Sequence, residues 1–233
     1  MKKAIFLLFL LQLPVSTFAQ NNYIGTDPFL PVFGTVSVNY ERAILPRMSL
    51  SLNVGRKFGS GILTISGVDG DKLTTDDISF EGVRLLPEFR WYLSKENKGL
   101  TGFYAGLYYK YQTNITQLAS TYSPENGGAP SDVDLDLKII TNSVGLEIGY
   151  KLIILEKFYA DFLIAGIGIA QSKLEVEAES EVPEGYFREL SGEVKRYFLL
   201  KGFKPDVLSQ DRKLESDFAL PSLRYGLRLG VRF

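Results

Sequence analysis

The stretch Leu223-Arg224-Tyr225-Gly226-Leu227-Arg228-Leu229-Gly230-Val231-Arg232-Phe233 separates by parity into two unlike sets. Leu223, Tyr225, Leu227, Leu229, Val231 and Phe233 are apolar or aromatic, whereas the residues between them are arginine or glycine. A β-strand sends successive side chains to opposite faces, so this segment reads as a strand with one hydrocarbon face and one cationic face. In a soluble sandwich the apolar face would meet a second sheet. A strand closed by an aromatic residue better fits a wall whose partner is lipid. Tyr225, Leu227, Leu229, Val231 and Phe233 are therefore expected to form a C-terminal assembly signal, read by barrel assembly machinery.

The same period of two recurs upstream. Val36, Val38 and Tyr40 alternate with Ser37, Asn39 and Glu41, and Met48, Leu50, Leu52 and Val54 with Ser49, Ser51 and Asn53. Val83, Leu85, Phe89 and Trp91 alternate with Arg84, Glu88, Arg90 and Tyr92. Phe103 to Tyr111 and Val144 to Lys151 repeat the scheme with glycine, tyrosine, Lys110, Glu147 and Lys151 on the second face. Segments of about ten residues with this alternation are the signature of membrane-spanning barrels. Two places resist it. Pro87 cannot donate to a ladder and predicts a bulge or local break; Phe158–Ala170 is apolar on both parities and has no readable phase.

The other end of the chain predicts export. Lys2 and Lys3 precede an apolar run from Ala4 to Leu13, and Thr17-Phe18-Ala19 puts small residues where a signal peptidase cuts. The expected organisation is a cleaved signal peptide over 1–19 and one barrel domain over 20–233. Cleavage would take the net charge from −1 to about −3, with no basic stripe for nucleic acid. The run is too short for a spanning helix, and no later segment is long and apolar enough for one.

Short links at 43–47, 94–98 and 152–157 alternate with long ones at 58–77, 113–134 and 172–218. Placing the short links on the periplasmic side, as barrels of this class do, and requiring an even strand number makes Tyr23–Leu30 a strand despite Pro28. The expected fold is all-β, an eight-stranded antiparallel transmembrane up-and-down β-barrel with long extracellular loops. Tyr40, Trp91, Tyr92, Phe103, Tyr104, Tyr150, Phe158, Tyr159 and Phe233 cluster near the short links and are expected to form an interfacial girdle.

Three runs, Val36–Ala43, Pro87–Leu93 and Gly102–Gly106, resemble a family of small outer-membrane barrel proteins of unknown function found in Bacteroidetes-type bacteria, built like the OmpA/OmpX eight-stranded barrels. The resemblance implies the barrel and the location, and carries over no catalytic residues.

Several candidate sites follow. Glu41, Glu88 and Glu147 should face the lumen with Arg84, Arg90, Lys110, Lys151, Arg224, Arg228 and Arg232, with Asp161 offsetting some of the excess positive charge. An eight-stranded barrel is filled by its own side chains, so these charges should form a structural network or, failing that, line an anion-attracting pore. In the last long link, Glu175, Glu177, Glu179 and Glu181 alternate with apolar residues as a strand. Phe187, Leu190, Val194, Tyr197 and Phe198 have helical spacing, so the segment reads as a cap over the barrel mouth or a partner-binding lid. Asp69, Asp71, Asp76 and Asp77, and separately Asp132, Asp134 and Asp136, match no EF-hand spacing.

The chain has no histidine and no cysteine, which removes imidazole bases, thiolate nucleophiles, disulfides and ordinary zinc sites. The expectation is a non-enzymatic, cofactor-free integral outer-membrane protein with a structural or surface-recognition role, present as a monomer. Its expected partners are outer-membrane lipid and lipopolysaccharide, the assembly machinery and periplasmic chaperones. A small passive or gated pore, or a soluble lipocalin-like binder, are the alternatives.

Overall fold

The computed structural model describes residues 22–59, 67, 69–70, 72–94, 100–124, 129–179, 182–183, 185–188, 190 and 213–233. The expected signal segment lies outside them. The alternating stretches become β1 (Asn22–Thr26), β2 (Thr35–Leu45), β3 (Met48–Lys57), β4 (Leu73–Thr75), β5 (Gly82–Tyr92), β6 (Gly102–Tyr122), β7 (Ser131–Ile154), β8 (Phe158–Ala178) and β9 (Lys213–Arg232). All belong to one antiparallel sheet that returns on itself, because β9 pairs with β1 and β6 with β7. The sheet holds nine strands where the sequence predicts eight. The added one, β4, has three residues and pairs with the far end of β6.

β1 ends at Thr26, before Pro28, and a 3-10 turn at Leu30–Phe33 takes the chain on to β2. Among the described residues the N–H groups of this segment meet no strand neighbour. Pro28 and Pro31 carry none, Phe29 N–H donates to Asp27 Oδ1 (3.0 Å), and Val32 and Gly34 donate to Phe29 and Pro31 carbonyls (3.1 and 3.0 Å).

The strands are of two heights. β3 has 10 residues and β5 11, but β6 to β9 have 21, 24, 21 and 20. At roughly 3.4 Å per residue, the second set rises about twice as far. The links expected at 113–134 and 172–218 are thus shorter than predicted, since β6 and β7 run on to Tyr122 and from Ser131, and β8 and β9 to Ala178 and from Lys213.

The faces exchange character along these tall strands. In the lower part Leu107, Leu146, Ile148, Ile167 and Ile169 stand exposed on the outside while Glu88, Arg90, Glu147 and Lys151 are buried inside. In the upper part the outward positions are Gln117, Asp132, Asp134, Lys173, Glu175 and Asp217. There the inside is an apolar cluster of Leu118, Tyr122, Val133, Leu135, Leu174 and Val176.

The unphased segment has a mechanical cause. The β8 register shifts between Leu163 and Gly166 against β9, with a matching shift at Ile148/Gly149 on β7. One extra residue turns the pattern over, so Tyr159, Asp161 and Leu163 are buried on odd positions and Gly166, Ala170, Ser172 and Leu174 on even ones. Pro87 makes no bulge. The β3–β5 register passes unbroken through Leu52↔Pro87, and only the β6 side skips Leu86 and Pro87.

Candidate functional site

The lower lumen is crossed by an ion network built from strands that share its inward parity. Arg90 is wholly buried on β5 and lies among all four lumen carboxylates. Its Nη1 donates to Asp161 Oδ2 (2.7 Å) and Glu41 Oε2 (3.3 Å), its Nη2 to Glu88 Oε2 (2.7 Å), and its Nε lies 3.4 Å from Glu147 Oε1. Lys151 on β7 pairs with Glu41, which also accepts from Ser49 (2.6 Å) and Tyr92 (2.7 Å). From β9, Arg228 grips both Glu88 oxygens (2.8 and 2.7 Å), and Arg224 bridges Glu147 (2.9 Å) and Glu88 (2.8 Å). Glu41, Glu88, Glu147 and Asp161 are thereby matched by Arg90, Lys151, Arg224 and Arg228. Buried charges cost several kcal/mol each unless so matched, which is why the four acids and four bases come together.

Tyrosines complete the plug. Lys151 Nζ sits 4.1, 5.0 and 5.4 Å from the ring centres of Tyr23, Tyr159 and Tyr92. Arg90 and Arg224 stack on Tyr104 (4.5 Å) and Tyr108 (4.3 Å). Tyr104, Tyr108 and Tyr159 each face a glycine across the ladder: Gly149, Gly145 and Gly230. A side chain on any of these glycines would run into the facing ring. Tyr92, Tyr104 and Tyr159 are therefore lumen residues, a correction to the expected girdle. Their parity aligns them with Arg90 and Asp161, and each is at most 2 % exposed. Tyr40, Trp91, Phe103, Phe158 and Phe233 do stand exposed on the outer face.

The remaining predicted lumen cations sit apart from this network. Arg232 is half-buried opposite Tyr23 at the β1–β9 junction. Arg84 and Lys110 lie higher, lining a cavity of about 220 Å³ with Asp27, Asn53, Arg224 and Arg228. Arg84 Nη2 donates to Asn53 Oδ1 (2.9 Å), while its buried Nε has no hydrogen-bond partner. Neither Arg84 nor Lys110 forms an ion pair among the described residues. Nothing in the sequence separates these two from the paired cations, because parity reports face and not depth.

The C-terminal positions Tyr225, Leu227, Leu229 and Val231 alternate outward along β9, and Tyr225 is 87 % exposed. Above Leu229, β9 has no described strand neighbour on its β1 side. In the last link, β8 carries the predicted Glu175 alternation up to Ala178. Residues 186–188 are helical, and Tyr186 and Leu190 pack into the upper apolar cluster, with Tyr186 hydrogen-bonded to Ser120. Val194, Tyr197 and Phe198 lie outside the described residues. Among the described residues no group of three or more acidic side chains is placed to hold a metal ion, and no helix is long and apolar enough to cross a membrane.

No protein-family description matches the chain, and no curated protein and no solved structure does so either.

Proposed function

We propose that the chain is a non-enzymatic outer-membrane β-barrel, a closed anchor that holds a recognition platform above the bilayer. Its spanning wall is the ring of eight strands β1, β2, β3, β5, β6, β7, β8 and β9. β1 is continued by the proline-bearing segment 27–34, and β4, at three residues, serves only the platform. Kinship with the small outer-membrane barrels that the three runs resemble is part of the same proposal.

The observation that carries this reading is the exchange of faces. Water rewards polar side chains outside and apolar ones inside, and the upper halves of β6 to β9 obey that rule. The lower ring reverses it, with Val54, Leu85, Leu107, Leu146 and Ile167 at 41–60 % exposure around buried arginine and glutamate. An apolar outer belt suits lipid, and a sheet closed on itself, as this one is at the β1–β9 ladder, is what a bilayer favours in β-structure. The platform, capped from within by Tyr186 and Leu190, presents acidic Asp132, Asp134 and Glu177 to solvent. The ion network and tyrosines fill the lower lumen, which supports an anchor over an open pore.

Fractionation followed by gel electrophoresis of unboiled and boiled samples tests the proposal. The expected result is an outer-membrane band that migrates faster before boiling. A soluble band whose migration does not change would overturn it.

A further inference from the structure

The lower network balances its own charge, and two of the predicted lumen cations outside it, Arg84 and Lys110, form no ion pair among the described residues. Arg84 and Lys110 come from neighbouring strands, Arg84 standing opposite Gln112, the next inward position above Lys110 on β6. Both line the same cavity, whose single carboxylate, Asp27, also faces Arg224 and Arg228 there. The latter two already hold Glu88 and Glu147. An arginine with a buried Nε lacking a partner, beside a lysine lacking any ion pair, is a costly arrangement unless an anion completes it.

The cavity also has an unusual second wall. Besides lumen-facing residues it is lined by Leu223 and Tyr225, which point outward from β9 and are 76 % and 87 % exposed, and by Leu30 of the 3-10 turn. It therefore passes through the ring where β9 has outrun β1. The rim there is apolar and level with the outer hydrocarbon belt.

We propose that Arg84 and Lys110, with Arg224 at their edge, form a binding site for an oxyanion of phosphate or carboxylate type, reached through the gap between β9 and the 27–34 segment. Arg84 Nε and the free Nη donor supply the directed hydrogen bonds that a guanidinium gives a tetrahedral or planar anion, and Lys110 adds a movable charge. A cavity of about 220 Å³ holds such a group but not a hydrocarbon chain, so any chain attached to it would leave past Leu30 and Leu223. The site is built by the lumen and the gap alone, wherever the protein resides.

The full chain in an uncharged detergent, titrated calorimetrically with inorganic phosphate and separately with dodecyl phosphate, provides the test. Both should bind, and Arg84→Gln combined with Lys110→Gln should weaken both by about tenfold or more, the loss of one charge-assisted contact or better. Equal affinities for the two ligands identify a free oxyanion. Tighter dodecyl phosphate binding that Leu223→Gln abolishes identifies the head of an amphiphile. Lys110→Met alone, which removes a cation without a partner, serves if the double variant does not fold. Wild-type protein that shows the fast unboiled band yet binds neither ligand, or a double variant that binds as well as wild type, overturns the site and leaves the membrane reading standing.

Discussion

The ring of Tyr104 occupies the space that a side chain on Gly149, its partner across the β6–β7 ladder, would need. The Phe162 carbonyl closes the same space from the β8 side, 2.7 Å from where a Cβ would stand. Gly149→Ala must therefore displace both a buried ring and a backbone oxygen. We expect a loss of about 1–3 kcal/mol, the usual cost of overpacking. Urea unfolding in detergent measures it, and an unchanged midpoint would show that Tyr104 packs elsewhere.

Arg90 is the hub of the lumen. Arg90→Met removes the cation that Glu41, Glu88, Glu147 and Asp161 share, leaving buried like charges in contact. The expected destabilisation is about 3–5 kcal/mol. Adding Asp161→Asn to that variant should recover part of the loss. A double variant no more stable than Arg90→Met would mean that the network is hydrated and not charge-balanced.

The chain has a single tryptophan, and Trp91 is half exposed on the outer wall beside the turn end. In vesicles containing brominated lipid its fluorescence should be strongly quenched. Moving the probe discriminates further: in a Trp91→Phe background, Leu146→Trp should be quenched and Thr121→Trp should not, since Thr121 stands outward on the platform. Equal quenching at both new positions would remove the proposed level of the bilayer.

On the platform, Lys138, Glu175, Lys173 and Glu215 form a chain of ion pairs across β7, β8 and β9 at 2.9–3.1 Å. Hydrogen bonds from Lys173 and then Lys138 hold the Glu175 carboxyl below its ordinary value of 4.5. A depressed folded-state pKa gives stability that is present above the unfolded value and is lost as pH falls through the folded one. Amide exchange at the upper ends of β8 and β9 should therefore quicken below pH 4.5. The effect is less than about 1 kcal/mol for groups this exposed. Glu175→Gln should exchange faster at neutral pH and lose that pH dependence; a variant with the wild-type profile would assign the fraying elsewhere.

The lower ring was readable because its strands obey one rule throughout. Val36 to Glu41 or Phe103 to Lys110 needs only parity to place each side chain in or out, and parity brought Glu41, Glu88, Glu147 and Arg90 to one lumen. It failed where the rule changes. In β6 and β7 the apolar face moves from outside to inside near Asn114 and Asn142, so Leu118 and Val133 read as loop. In β8 a single extra residue after Leu163 inverts the phase. Nearness to the turns assigns Tyr92 and Tyr104 to the girdle, although their own alternation with Trp91 and Phe103 points them inward. β4 is too short to carry a period. The separation of Arg84 and Lys110 from the paired cations depends on strand stagger, which no local pattern encodes.

The junction that closes the ring is a short ladder: β1 matches β9, like β2 on its other side, over four residue pairs, where β7 and β8 match twenty. Tyr23 can meet Arg232 only after every intervening hairpin has been laid down beside its neighbour. Bringing ends so far apart together is not itself prohibitive, since each doubling of the intervening chain adds only about 0.6 kcal/mol of closure entropy. The consequence is one of timing. Six of the seven other ladders of the ring join sequence neighbours and can form progressively as hairpins, and even β3–β5 spans a single insertion, but the last step is strictly late. Until it happens, the unfinished sheet has two raw edges, so the slowest event in making this protein should be the docking of five residues at Asn22–Thr26.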